Sequence, residues 1–193
     1  MKNFFTTKRI CRAGVIAALY VALTYAFGQL SYQGILQIRP AEALTILALF
    51  FPEAVPALWI GCVLANLLSG YGWYDIVFGG LTSLVAAVLT YGTGKLIKNH
   101  VLKIIVGGFF PVILNAIVVP LLIVFAAGDL CGYETATIAY FINFGSMLLT
   151  QALWIYGLGS ILYFSIVKLQ QRGVSVFISE TKKKPDNTQT ENL

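Results

Sequence analysis

One histidine, three cysteines and two methionines leave little for metal or redox chemistry to stand on. Cys11, Cys62 and Cys131 lie far apart, show no ligand spacing and are odd in number, so neither a zinc site nor a paired disulfide framework is indicated. His100, the lone histidine, falls in a basic loop, away from any serine or cysteine it might activate. Charge is scarce as well. Only 11% of the 193 residues are Asp, Glu, Lys or Arg, against about 25% in soluble domains. A phosphate loop is also missing. Gly92-Thr93-Gly94-Lys95 resembles one in part, but its first glycine is misplaced and Leu96 stands where Ser or Thr is needed. The chain therefore carries no visible means of hydrolysing ATP, no catalytic constellation and no bound cofactor or metal. It is not expected to be an enzyme.

What is present is apolar, at 58% of the chain. Charge-free runs cover 13–38, 54–74, 76–94, 104–128 and 135–167, with a shorter one at 43–52. A bilayer span needs roughly 20 such residues. A soluble protein of this length would have no polar surface left to face water. The expected fold is thus all-α, an integral membrane bundle of six transmembrane helices over 1–171, followed by a polar tail at 172–193. The predicted helices run over about 11–28, 40–51, 53–69, 75–97, 102–127 and 135–170. The first follows a basic N-terminus, but its apolar run exceeds the 7–15 residues of a signal sequence, so it reads as an uncleaved span.

The thirteen basic residues set the orientation. With six crossings, Lys2, Lys8, Arg9, Arg12, Lys95, Lys98, Lys103, Lys168, Arg172, Lys182, Lys183 and Lys184 all fall on one side, and only Arg39 on the other. The positive-inside rule makes that side the cytoplasm, with both ends there. The basic residues flank apolar segments and do not alternate with aromatics, which argues against nucleic acid. The second segment is the weak one. As an α-helix, 40–51 reaches about 18 Å, well short of a ~30 Å core. A full crossing is the preferred reading. A re-entrant hairpin with the third segment is the alternative, with four crossings and the same end orientation.

Polar groups inside a membrane are costly, about 2.5–3.5 kcal/mol for a charge at a helix centre. Arg39, Glu42, Asn66 and Asp75 gather at the predicted outer ends of helices two to four, beside Tyr71, Trp73 and Tyr74. Asn115 and Asn143 lie near mid-depth. Taken singly, each has a plain explanation as a helix cap, an aromatic belt or an interhelical hydrogen bond; Gln151 falls in the last group. Together, two carboxylates, a guanidinium, amides and aromatics suit a small planar ligand rich in donors. Small residues form two stripes, at Gly14, Ala18, Ala22 and Ala26, with Ala13 and Ala17 beside them, and at Ala57, Gly61, Ala65 and Ser69. Such stripes let helices approach closely. The second suits internal packing, and the first leaves a face for another protein.

Two blocks carry a likeness. Ile38-Arg39-Pro40-Ala41-Glu42-Ala43-Leu44-Thr45 is one, and Gly61-Cys62-Val63-Leu64-Ala65-Asn66, continuing through Asp75-Ile76-Val77-Phe78-Gly79, is the other. Over about 10–165 the chain resembles the QueT family of queuosine-precursor transporters, substrate-binding components of energy-coupling-factor (ECF) transporters. Pro40 and Ser83 depart from the family pattern. The resemblance implies a multi-pass protein of the bacterial plasma membrane that binds a 7-deazaguanine such as 7-aminomethyl-7-deazaguanine on its outer side. The polar and aromatic residues gathered above supply the expected substrate contacts, Arg39, Glu42, Asn66, Trp73, Asp75, Asn115 and Asn143. The resemblance implies partners too: one membrane coupling subunit, docked through Ala13, Ala17, Ala18 and Ala22 of the first helix, and two ATPase subunits. The competing readings are a substrate-binding component for another vitamin, a self-sufficient secondary transporter, and a ligand-free scaffold.

Overall fold

The computed structural model describes residues 6–32, 37–67 and 69–174. Most of the polar tail expected from 172 onward, with Lys182, Lys183 and Lys184, lies outside them. Among the described residues there are helices and no strands. Four helices are long and apolar enough to cross a membrane: α1 (Thr7–Phe27), α3 (Asp75–Leu96), α4 (His100–Ala126) and α5 (Ala136–Gln171). Two shorter apolar helices complete the bundle, a 3₁₀ helix at Pro40–Leu49 and α2 (Ala54–Asn66).

Local chemistry explains the ends. The Asn99 side chain accepts the backbone N–H of Val101 at 3.0 Å, which starts α4 two residues before the expected Leu102. Thr135 caps α5 through the N–H of Ile138. Gly28 (φ +48°) ends α1, a conformation that suits glycine. The third predicted helix was to reach Ser69 but stops at Asn66. Leu67 already turns, Ser69 bonds back to the Asn66 carbonyl at 3.1 Å, and Gly70 takes φ +77°. At 13 residues α2 is about 20 Å long, so it too is shorter than a ~30 Å core.

The 3₁₀ helix is the axis of the fold. All ten of its residues are buried, and it packs against each of the five α-helices. Its winding differs from the α-helix expected and extends its reach. At about 2.0 Å per residue it covers roughly 20 Å where an α-helix would cover 15 Å. The neighbouring helix α1 measures its depth. Ser31, which holds Arg39, bonds back to Thr24, whereas Glu53 pairs with Arg12 at 2.5 Å. Thr24 and Arg12 are about 18 Å apart along an α-helix.

Glycines let the neighbours close on this axis. A Cβ on Gly107 would sit 2.7 Å from Leu49, and one on Gly159 3.0 Å from Ile46. The expected internal stripe of α2 behaves alike, because a Cβ on Gly61 would sit 2.9 Å from Tyr20 Cβ. The outward faces are large and apolar, with Val15, Leu19, Ile60, Leu64, Phe109, Phe141, Leu149, Leu153 and Phe164 all exposed. Contiguous surface of that kind needs an apolar surround, and helices whose backbone bonds are internal meet the requirement of a bilayer. The chain is a helical membrane protein.

Candidate functional site

Pro40 opens the 3₁₀ helix at a position where its missing N–H costs nothing, and Glu42 follows in the first turn. Glu42 is buried at 3% exposure, and both its oxygens are held. Tyr20 of α1 donates to Oε1 at 2.7 Å, and Asn115 of α4 donates to Oε2 at 3.3 Å. An ionised carboxylate has about four acceptor directions, so a fixed Glu42 keeps one on each oxygen for a ligand.

Asp75 is the second carboxylate, also at 3% exposure, and begins a π-wound turn, Asp75–Gly79, at the start of α3. Such turns are frequent at functional sites. Asn66 Nδ2 donates to the Asp75 backbone carbonyl at 3.0 Å, which joins α2 to α3. Gly79 leaves the room for this, since a Cβ there would sit 2.7 Å from Asn66 Nδ2 and 3.0 Å from Asp75 Oδ1. Asp75 Oδ2 is buried with no hydrogen-bond partner among the described residues. An unpartnered buried acceptor costs roughly 1–3 kcal/mol, and a ligand donor there removes that cost.

Arg39 is buried, and its charge interacts with those of both Asp75 and Glu42. Its Nε donates to the Ser31 carbonyl at 2.8 Å, and its guanidinium lies 5.5 Å from the Tyr32 ring centre. Ser31 in turn donates to the carbonyls of Thr24 and Ile38. Tyr32 donates to the Ala65 carbonyl at 2.6 Å, and Tyr71 donates to the Tyr32 carbonyl at 3.0 Å. Burial pushes both phenols up to about 12, so both stay protonated donors at neutral pH. These bonds fasten Ser31 and Tyr32 to α1, to α2 and to the residues just before the 3₁₀ helix.

Arg39, Glu42, Asn66, Asp75 and Asn115 are thus linked through direct contacts or charge. Two expected residues lie apart from that set. Trp73 is 59% exposed and stacks on Tyr74, with ring centres 3.9 Å apart. It precedes Asp75 by two helical residues, about 200° around the axis, so one cannot face inward with the other. Asn143 is buried but donates to Ala139 of its own helix at 2.8 Å and meets the Cys131 thiol. On α1, Ala13 and Ala17 pack against the core, whereas Ala18 and Ala22 are exposed.

Tyr20 was missed by sequence reasoning because a tyrosine inside an apolar run reads as belt or packing. Its spacing from Ile16 and Thr24 on one face was the available signal, and these are the three buried residues of α1. Among the described residues no three of His, Cys, Asp and Glu come together as metal ligands would.

Residues 10–168 match the family described as QueT transporter. The chain is also similar to the Queuosine precursor transporter QueT of Lactococcus lactis subsp. cremoris (strain MG1363), at 41% identity over 81 residues. That match covers 41% of this chain and 47% of the relative, so it spans about half the length of the relative. No solved structure matches. With the family match running through α1, the 3₁₀ helix and all four remaining helices, the chain belongs to the QueT transporter family.

Proposed function

We propose that this protein captures a 7-deazaguanine queuosine precursor, such as 7-aminomethyl-7-deazaguanine, at the outer face of a bacterial plasma membrane. The observation that carries the reading is the pair of buried carboxylates, one held by two donors and one with an unpartnered oxygen. A guanine-like edge presents two adjacent donors, N1–H and the 2-amino group. Glu42 suits them, because Tyr20 and Asn115 fix its plane and leave one acceptor direction on each oxygen. The aminomethyl cation goes to Asp75 Oδ2. The ring carbonyl takes a donor from Arg39, Asn66 holds the Asp75 backbone beside the cation, and Asn115 borders the Glu42 edge. Trp73 acts from the exposed rim, and Asn143 from a buried position beside Cys131.

The topology that serves this role has six crossings, with the 3₁₀ helix as a short span shielded by protein, α2 as a short span with one apolar face outward, and both ends in the cytoplasm. The Arg12–Glu53 pair then lies at the cytoplasmic end and the Arg39 cluster at the outer one. Energy comes from other chains. The protein acts as the substrate-binding component of an ECF-type importer, which brings one coupling subunit and two ATPases. Ala18 and Ala22, with Ala13 and Ala17 behind them, form the docking side of α1.

Uptake separates this reading from a self-sufficient secondary transporter. Cells that make the chain together with the coupling subunit and ATPases are expected to accumulate labelled 7-aminomethyl-7-deazaguanine. Cells that make the chain alone are expected to bind it without accumulating it. Accumulation by the chain alone contradicts the ATP-driven role.

A further inference from the structure

Gln151 is 2% exposed, and its Oε1 is buried with no hydrogen-bond partner among the described residues. It was expected to bridge helices, yet its carbonyl bridges nothing. Its place in the bundle follows from register. Met147, Gln151 and Ile155 stand four apart on one face of α5. Met147 packs with Ala116 and Val119, while Ile155 packs with Val112 and with Ile46 of the 3₁₀ helix. Gln151 therefore lies at the level of Asn115 and Ala116 on α4, and Asn115 holds Glu42. Directly after it α5 widens into a π-wound turn, Leu153–Leu158, that packs on the 3₁₀ helix. A carbonyl oxygen buried at this depth without a partner among the described residues calls for a ligand donor.

We infer that Gln151 reads the pyrrole N–H edge of the bound base, the N9–H and N3 positions, and so restricts the site to free bases. This inference rests on the 7-deazaguanine reading above. That reading leaves one hydrogen-bonding edge of the base unassigned. With the N1–H and 2-amino edge on Glu42, the edge that adjoins it past the 2-amino group carries the N9–H donor beside the N3 acceptor. A primary amide offers an acceptor and a donor side by side. Oε1 accepts from N9–H, and Nε2 donates to N3. A nucleoside has no N9–H and places a sugar there. It loses the hydrogen bond and leaves the Gln151 carbonyl buried and unpaired, the kind of loss that discriminates strongly.

The test is calorimetric titration of the purified full chain with 7-aminomethyl-7-deazaguanine and with its 9-methyl derivative. Wild-type protein is expected to bind the 9-methyl compound at least tenfold more weakly, about 1.4 kcal/mol. In Gln151→Met, of similar length but without the amide, the free base is expected to bind roughly tenfold more weakly. The preference against the 9-methyl compound is expected to shrink with it. Equal binding of both compounds by the wild type overturns the edge assignment and leaves the substrate reading standing. So does an undiminished preference in Gln151→Met. Binding of neither compound overturns the substrate reading and the edge assignment with it. The wild-type comparison needs no variant, so a misfolded Gln151→Met leaves the inference testable.

Discussion

Replacing Glu42 with Gln is expected to weaken binding of 7-aminomethyl-7-deazaguanine by roughly ten- to a hundredfold, a loss of about 1.5–3 kcal/mol. The substitution keeps the size and removes the charge. It also replaces one acceptor oxygen by an NH₂ group, which then stands beside either Tyr20 or Asn115 Nδ2. In either position it sets a donor against the ligand donor that the lost oxygen would accept. Asp75→Asn is the instructive contrast. It is expected to cost the aminomethyl compound at least tenfold, while an uncharged 7-deazaguanine loses much less, because only the cation depends on Asp75 Oδ2. Calorimetry on both variants, with thermal unfolding to confirm folding, measures this. Unchanged affinity for the aminomethyl compound in both contradicts the assignment of the carboxylates.

The second large effect concerns folding. Gly94→Ala is expected to destabilise the protein by about 3 kcal/mol, the upper end for overpacking. A Cβ on Gly94 would overlap the Leu49 carbonyl oxygen and lie 2.8 Å from Leu49 Cα. The obstacle is backbone, which cannot rotate aside as a side chain can. Helix α3 and the end of the 3₁₀ helix must separate, and this disturbs the element that carries Glu42 at its other end. Gly92→Ala is the control, since its Cβ meets nothing within 4 Å. Thermal unfolding in detergent is expected to show a clear drop in Tm for Gly94→Ala and almost none for Gly92→Ala. Equal Tm values for the two contradict the close approach.

Gly94 also shows what sequence can and cannot say. In the chain it sits in a fragment that resembles a phosphate loop, and the missing Ser or Thr argues against that role. Its actual use, a close backbone approach, depends on a partner 45 residues away and leaves no local trace. Long spans were legible because a charge-free run is itself the physical requirement for crossing. Among the short elements, Pro40 and Glu42 marked the start of the second helix correctly, but its 3₁₀ winding has no local mark in the sequence.

The burial of the candidate residues was legible as far as cost makes it so. Glu42, Asp75, Arg39, Asn66 and Asn115 stood out because a buried polar group needs a reason, and all five are buried. Trp73 stands near Asp75 along the chain, but residues two apart on a helix point to opposite sides, which leaves Trp73 at the rim. Tyr20 and Gln151 went the other way. Each has an ordinary structural explanation, and only the pairing of Tyr20 with Glu42, and the lack of a partner for the Gln151 carbonyl among the described residues, set them apart.

Native mass spectrometry is the most direct test of the central claim that this chain selects a 7-deazaguanine. The full-length protein, purified from membranes, is offered an equimolar mixture of 7-aminomethyl-7-deazaguanine, riboflavin and thiamin. The account predicts a single adduct, of the mass of the deazaguanine, on the wild-type protein, and its loss in Glu42→Gln. An adduct of either vitamin, or no adduct at all on the wild-type protein, contradicts it.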